Sequence, residues 1–140
     1  MKVLAKSLKE TIDLGKKFSK DLRPGDVIAL IGDLGSGKTT FIKGIALGLG
    51  LKSRDEVTSP TFALMHIYAT HVPLYHFDLY RLETTKEIES IGLDEFLNDR
   101  SVICCLEWAD RAKKMLPRKT LRISFKVKGP KTREITIEKP

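Results

Sequence analysis

Val27-Ile28-Ala29-Leu30-Ile31-Gly32-Asp33-Leu34-Gly35-Ser36-Gly37-Lys38-Thr39-Thr40-Phe41-Ile42 decides the fold. The first five residues are a continuous apolar run, the pattern of a strand buried on both faces. Gly32 to Thr39 is an unbroken G-x-x-x-x-G-K-[ST] phosphate-binding loop. Its glycines let the backbone turn with several N–H groups pointing inward, at φ values a Cβ would resist. Those donors suit a β-phosphate, Lys38 reaches the β/γ oxygens as a point charge, and Thr39 can ligate Mg²⁺. Phe41, Ile42, Ile45, Ala46 and Leu49 then fall on one helical stripe, and Gly50 is a natural stop. The helix begins at the loop, so its N-terminal partial positive charge adds to anion binding. Strand, loop and helix come in the order a nucleoside triphosphate site requires. The nucleotide-binding candidates are Asp33, Leu34, Gly35, Ser36, Gly37, Lys38, Thr39 and Thr40.

The chain has 140 residues, which fits one domain over 1–140. With 41% apolar and 31% charged residues, it has the composition of an ordinary globular protein rather than a disordered or fibrous one. No stretch approaches the roughly 20 apolar residues that span a membrane. No long apolar leader follows Met1, so the expectation is a cytoplasmic protein without a membrane partner. The two cysteines, Cys104 and Cys105, are adjacent, and neighbours in a strand point to opposite faces. They read as two small core residues, with a redox or metal-binding pair as the alternative, rather than a disulfide. The net charge of +7 is spread over small groups such as Lys16-Lys17, Lys113-Lys114 and Arg118-Lys119. That balance fits contact with RNA or an acidic partner, and equally a solvated surface.

Working outward from the loop, Lys2 to Ala5 reads as a short first strand. Ser7-Leu8-Lys9-Glu10 is a capping-box pattern, opening a helix with Leu8, Ile12, Gly15 and Phe18 on one side. A polar connector, Lys52 to Pro60, follows the loop helix. Thr61 to Ala69 and Leu74 to Phe77 read as two strands joined by the His71-Val72-Pro73 turn, hence an antiparallel hairpin. Thr84-Thr85-Lys86-Glu87 opens a short helix stopped at Gly92. Ser101 to Leu106 is a second candidate for a buried parallel strand. Ala109 to Leu116 reads as a short helix ended by Pro117. Leu121, Ile123, Phe125 and Val127 alternate, as do Ile135 and Ile137 beyond Lys128-Gly129-Pro130, which predicts a C-terminal hairpin. The sum is an α/β fold of the P-loop NTPase type, a mixed sheet with antiparallel hairpins flanked by helices.

Mg-nucleotide chemistry needs a carboxylate near Thr39. Asp78, ending Leu74-Tyr75-His76-Phe77-Asp78, is the candidate, with turn-capping as its alternative role. Many ATPases place a Glu directly after that Asp to orient the attacking water; here Leu79 follows. Glu107, at the end of the Ser101–Leu106 run, is the candidate for that catalytic or Mg-organising role, because ligand groups gather at the carboxyl ends of strands. The metal candidates are therefore Thr39, Asp78 and Glu107. Trp108 either fills core or lines the nucleotide site or a partner surface. Thr61, stiffened by Pro60, is placed to sense a γ-phosphate as a first-switch hydroxyl. Arg81 could meet phosphate, a partner or a surface carboxylate. His66, His71 and His76 recur every five residues, but the spacing matches no standard zinc pattern. His66 and His76 could face each other across the hairpin, and His76 shares strand parity with Asp78.

Gly32–Phe41, Val57-Thr58-Ser59-Pro60-Thr61-Phe62, His76-Phe77-Asp78-Leu79-Tyr80-Arg81 and Glu107-Trp108, in this order, resemble the bacterial TsaE (YjeE) family. Ser36, where that family usually has Ala, is a departure at a variable loop position. The resemblance implies an ATPase, with ATP and Mg²⁺ as ligands, required for threonylcarbamoyladenosine modification beside the anticodon of tRNA. It implies action with the TsaB–TsaD complex, TsaD transferring a group from an adenylate made by TsaC, and hydrolysis resetting that complex. It places Lys38 and Thr39 on phosphate and Mg²⁺, Thr61 in the first switch, Asp78 on Mg²⁺, and Glu107 and Trp108 in the site. Contact with tRNA would be indirect, direct contact staying open.

Other classes fit less well. A small-molecule kinase needs an acceptor pocket and usually an Arg-rich lid, and the sequence shows no clustered Arg lid. A regulatory GTPase commonly carries Asn-Lys-x-Asp, which is absent. A nucleic-acid module would show a basic stripe with interleaved aromatics. Lacking an adjacent Glu and a self-supplied arginine finger, the chain is expected to hydrolyse ATP slowly alone and faster with partners.

Overall fold

The structure is a computed structural model describing residues 1–53, 57 and 65–140. Thr61, the Thr58–Phe62 segment, much of the Lys52–Pro60 connector and the first part of the Thr61–Ala69 strand lie outside the described residues. The elements in chain order are β1 (Lys2–Ala5), α1 (Leu8–Ser19), β2 (Val27–Ile31), α2 (Lys38–Gly48), β3 (Met65–Tyr68), β4 (Leu74–Asp78), α3 (Thr85–Ser90), α4 (Leu93–Leu97), β5 (Ile103–Glu107), a 3₁₀ segment (Ala109–Met115), β6 (Leu121–Val127) and β7 (Arg133–Glu138).

Among the described residues the strands form one sheet in the order β1-β7-β6-β2-β5-β4-β3. The four inner strands, β6, β2, β5 and β4, run parallel, and β2 sits between β6 and β5. The outer pairs β3–β4, β6–β7 and β1–β7 are antiparallel. This is the mixed sheet with terminal hairpins that the pattern predicts. His66 does stand opposite His76.

Alternation along the inner strands divides the core in two. Ile28, Leu30, Leu74, Ile103 and Cys105 face the layer of α1 and α2 with Phe41, Ile42 and Ile45. Val27, Ala29, Phe77, Cys104 and Leu106 face Ile88, Leu93, Leu97 and Ala112 of the shorter helices. The five-residue stripe expected on α2 is buried throughout. Helix α2 ends in a Schellman arrangement, with Leu51 N–H donating to Ala46 O at 2.9 Å and Gly50 N–H to Leu47 O at 3.1 Å. Helix α1 begins as its capping box predicts, Ser7 Oγ accepting from Glu10 N–H at 3.1 Å. The helices of this layer approach closely because Gly15 meets Gly44: a Cβ on Gly44 would overlap the Ile12 carbonyl oxygen and lie 2.9 Å from Gly15 Cα.

The structure departs from the sequence reading in several places. Leu8 is 60% exposed, so the buried stripe of α1 starts at Thr11 and Ile12. Helix α4 was not expected; five residues are too few to show a period, although Leu93 and Leu97 are both buried. Residues Ala109–Met115 form 3₁₀ turns interrupted at Ala112 (φ −112°, ψ 24°) rather than a continuous helix. Strand β5 runs one residue further than its apolar run, because Glu107 completes the ladder opposite Asp78 and Leu30. No helix among the described residues is long and apolar enough to cross a membrane.

Candidate nucleotide site

The carboxyl ends of β2, β5 and β4 converge on a cleft of about 410 Å³. The phosphate loop forms its floor. Gly37 caps α2 from the left-handed region at φ +108°, and no side chain caps the helix there. The first N–H groups of α2 therefore face the loop rather than a capping oxygen, as anion binding requires. Gly32 is fixed by proximity: a Cβ there would meet Ser36 Oγ at 2.5 Å and the Phe125 carbonyl oxygen at 2.9 Å. Ser36 is itself buried, and its Oγ has no hydrogen-bond partner among the described residues.

Lys38 is only 4% exposed. Its ammonium donates to the carbonyl oxygens of Gly32 and Asp33, the latter at 3.0 Å. It also lies 4.2 Å from the centre of the Trp108 ring, within cation–π range. Burial pushes this ammonium below its usual range, opposed by the nearby Glu107 and Asp78 carboxylates. The cation is thus held ready by weak acceptors that a phosphate could replace.

Thr39 Oγ1 donates to Glu107, 2.9 Å from both carboxylate oxygens. The register of β4 on β5 sets Asp78 beside Glu107, and both line the cleft with Thr39. Asp78 also caps the turn that follows, its Oδ1 accepting from Tyr80 N–H at 3.0 Å, so the turn-capping role read from the sequence is present while the carboxylate still lines the cleft. A hydroxyl and two carboxylates are hard oxygen donors, the set that suits Mg²⁺. The residues present therefore fit a divalent cation, which would be held by Thr39 with Asp78 and Glu107.

Trp108 has φ +57°, and no other non-glycine residue among those described has a positive φ. That backbone turns its ring from the end of β5 over Lys38. The Tyr80 ring packs on it at 5.0 Å, and the Arg111 guanidinium lies 5.7 Å from the Trp108 ring centre. Trp108 thus lines the cleft while its buried side packs against the core beneath the shorter helices.

Leu34, Gly35, Ser36, Gly37, Lys38, Thr39, Thr40, Asp78, Glu107 and Trp108 all line this cleft, and Arg81 joins them. Asp33 contributes through its backbone, accepting from Lys38 and from Ser36 N–H. Thr61 lies outside the described residues. Four cleft residues escaped the sequence reading, among them Tyr80, which it quoted without a role. Arg133 of β7 donates to Gly35 O at 3.2 Å and lines the cleft with Leu8 and Thr11 of α1. Arg133 is 98 residues from Gly35 and no motif marks it.

A Gly-rich loop joining the central strand of a mixed α/β sheet to a helix, with carboxylates on the neighbouring strand ends, defines a protein of the P-loop NTPase fold. The comparisons make the assignment finer. The family model described as "Threonylcarbamoyl adenosine biosynthesis protein TsaE" matches residues 5–135. The chain is 46% identical over 129 residues to the tRNA threonylcarbamoyladenosine biosynthesis protein TsaE of Bacillus subtilis, covering 91% of this chain and 78% of that one. It is 39% identical over 137 residues to the protein of the same name from Treponema pallidum, covering 98% and 99%. The crystal structure of Bacillus subtilis YdiB superimposes with a TM-score of 0.78 at 38% identity, over 98% of this chain and 83% of that one. The chain belongs to the TsaE family.

Proposed function

We propose that this protein binds and hydrolyses ATP in the biosynthesis of threonylcarbamoyladenosine on tRNA, acting with a TsaB–TsaD complex to sustain its turnover. The family supports the pathway, and the cleft supports the chemistry. The observation that carries the reading is the hydrogen bonding of Thr39, the first hydroxyl of the loop helix, to Glu107 at the end of the neighbouring strand.

In this reading the N–H groups of the loop and of α2 hold the phosphates, and Lys38 exchanges its carbonyl acceptors for phosphate oxygens. Mg²⁺, held by Thr39 with Asp78 and Glu107, would offset phosphate charge. Glu107 takes the place of the Glu that many ATPases carry after the Walker-B Asp. Trp108 and Tyr80 cover one side of the cleft and restrict water. Arg133 is engaged with the carbonyls of Gly35, Gly129 and Thr132, and Arg111 with that of Leu82, so neither serves as the arginine that would stabilise the transferring phosphate. Such a group is worth ~10³–10⁵ in rate, so isolated turnover is slow and a partner accelerates it.

The test is multiple-turnover tRNA modification by reconstituted TsaB, TsaD and TsaC, with this protein, with its Lys38→Ala variant, and without either. Sustained turnover with the intact protein alone is the expected result. Equal modification in all three reactions would overturn the proposal.

A further inference from the structure

Glu107 has a second partner, deeper in the fold. Strand β4 carries His76 on the same face as Leu74 and two residues before Asp78, and the ring is fully buried. A buried imidazole without partners is costly, and this one has two. Nε2 lies 2.6 Å from Glu107 Oε2, and Nδ1 lies 3.2 Å from the Tyr68 hydroxyl on β3. The Tyr68 hydroxyl is in turn 3.4 Å from His66 Nδ1. A polar chain therefore runs from the edge of the sheet through two strands to the residue that accepts from Thr39.

The chemistry of the donors sets its direction. A carboxylate can only accept, so His76 Nε2 carries the hydrogen. In the neutral ring Nδ1 then accepts, and the Tyr68 O–H donates to it. Each bond points toward Glu107, and serial donors polarise one another. Thr39 lies equally far from the two oxygens of Glu107 and cannot by itself choose a rotation of the carboxylate. His76 bonds only Oε2 and does choose one. A packing role alone would be met by an apolar side chain, as Leu74 meets it on the same strand.

We propose that His76 is a positioning residue for nucleotide hydrolysis: its Nε2–H fixes the Glu107 carboxylate against Thr39, and Tyr68 fixes the His76 tautomer. This rests on the ATPase reading above. The arrangement parallels the outer-shell partners of metal ligands, whose loss commonly costs ~10–100-fold in affinity or activity.

The experiment compares nucleotide binding and partner-stimulated hydrolysis for the wild type, Lys38→Ala, His76→Leu, His76→Gln and Tyr68→Phe, with long-range ¹H–¹⁵N spectra of the nucleotide-free wild type. His76→Leu should lower hydrolysis at saturating Mg-ATP ~10–100-fold while ATP affinity moves by less than about threefold, since the loop is untouched. His76→Gln, whose amide nitrogen can reach the Nε2 position, should recover most of the rate. Tyr68→Phe removes one oxygen without a cavity and should give a smaller loss in rate at unchanged affinity. The spectra should show His76 as the Nε2–H tautomer. If His76→Leu does not fold, the Gln and Phe variants and the spectra decide. Wild-type rates in His76→Leu, a Gln variant no better than Leu, wild-type hydrolysis in Tyr68→Phe, or an Nδ1–H tautomer would each overturn the proposal. Equal hydrolysis by the wild type and Lys38→Ala would defeat the ATPase reading instead, and the tautomer would still report on the geometry.

Discussion

The two faces of the sheet are built differently. One is covered by α1 and α2, of twelve and eleven residues, in close backbone contact through Gly15 and Gly44. The other is covered by α3 and α4, of six and five residues, and by a 3₁₀ segment broken at Ala112. Short helices have little stability of their own and depend on the surface beneath them. The phosphate loop is anchored to the first face through α2. Tyr80, Arg81 and Trp108 reach the cleft from connections that lead into the second. The nucleotide floor thus rests on the firmer layer, while the groups beside it rest on one that can move at lower cost.

Paired glycine substitutions are the strongest way to break this comparison. Gly44→Ala sets a Cβ against backbone atoms of Ile12 and Gly15, which no rotamer can relieve. Overpacking of this kind costs ~1–3 kcal/mol and sometimes more, and a backbone clash belongs at the upper end. Gly92→Ala, at the N-cap of α4, has open space around the new methyl and pays only for φ +70°, about 1 kcal/mol. Urea denaturation should show midpoints ordered wild type, Gly92→Ala, Gly44→Ala. Equal losses would mean that the helix pair can slide apart and that the faces do not differ as described.

A smaller effect is expected at the two N-caps. Ser7 caps α1 and Thr84 caps α3, each accepting from the N–H three residues on at 3.1 Å. Loss of either cap should cost ~1 kcal/mol, but in different places. Thr84→Ala should raise hydrogen exchange mainly in α3 and α4, as a local opening. Ser7→Ala should shift exchange across the α1–α2 layer, because those helices open together. Uniform acceleration in both variants would erase the distinction.

The sequence made the firmer face far more legible than the other. Long helices reveal a period and caps, and the buried stripe of α2 follows from its residues alone. Helix α4 and the 3₁₀ turns are too short for a period, and their placement is decided by Leu93, Leu97 and Ala112 packing on the sheet. Within the site, residues belonging to local motifs were readable: Lys38, Thr39, Asp78, Glu107 and Trp108 all line the cleft. Arg133 and Tyr68 were not, because only strand order brings β7 beside the loop side of the sheet and β3 beside His76. His76 was half readable, since strand parity gives its face but not its bond to Glu107.

Cys104 and Cys105 offer the finest test, because adjacent residues of β5 sample opposite faces. Both are free and buried. Burial pushes the Cys104 thiol up to about 12 and raises Cys105 well above the ordinary value of 9.0. Neither is a nucleophile at neutral pH in the folded protein, since the thiolate is the reactive form. Below pH 9.0 both states keep their thiols neutral and nothing changes. Above it the unfolded thiols ionise while the folded ones stay neutral, so stability falls as pH rises, by up to about 1.4 kcal/mol per pH unit for each thiol. Labelling therefore reports opening. Cys104 touches α4, its Sγ 3.4 Å from Phe96 O, whereas Cys105 lies beneath the α1–α2 layer. With Cys105→Ala and Cys104→Ala variants of matched stability, labelling by a neutral disulfide reagent at low urea should be faster at Cys104, through local release of α4. Cys105 should react only as fast as global unfolding allows. Equal rates would show that the short-helix face is as firmly held as the face that carries the phosphate loop.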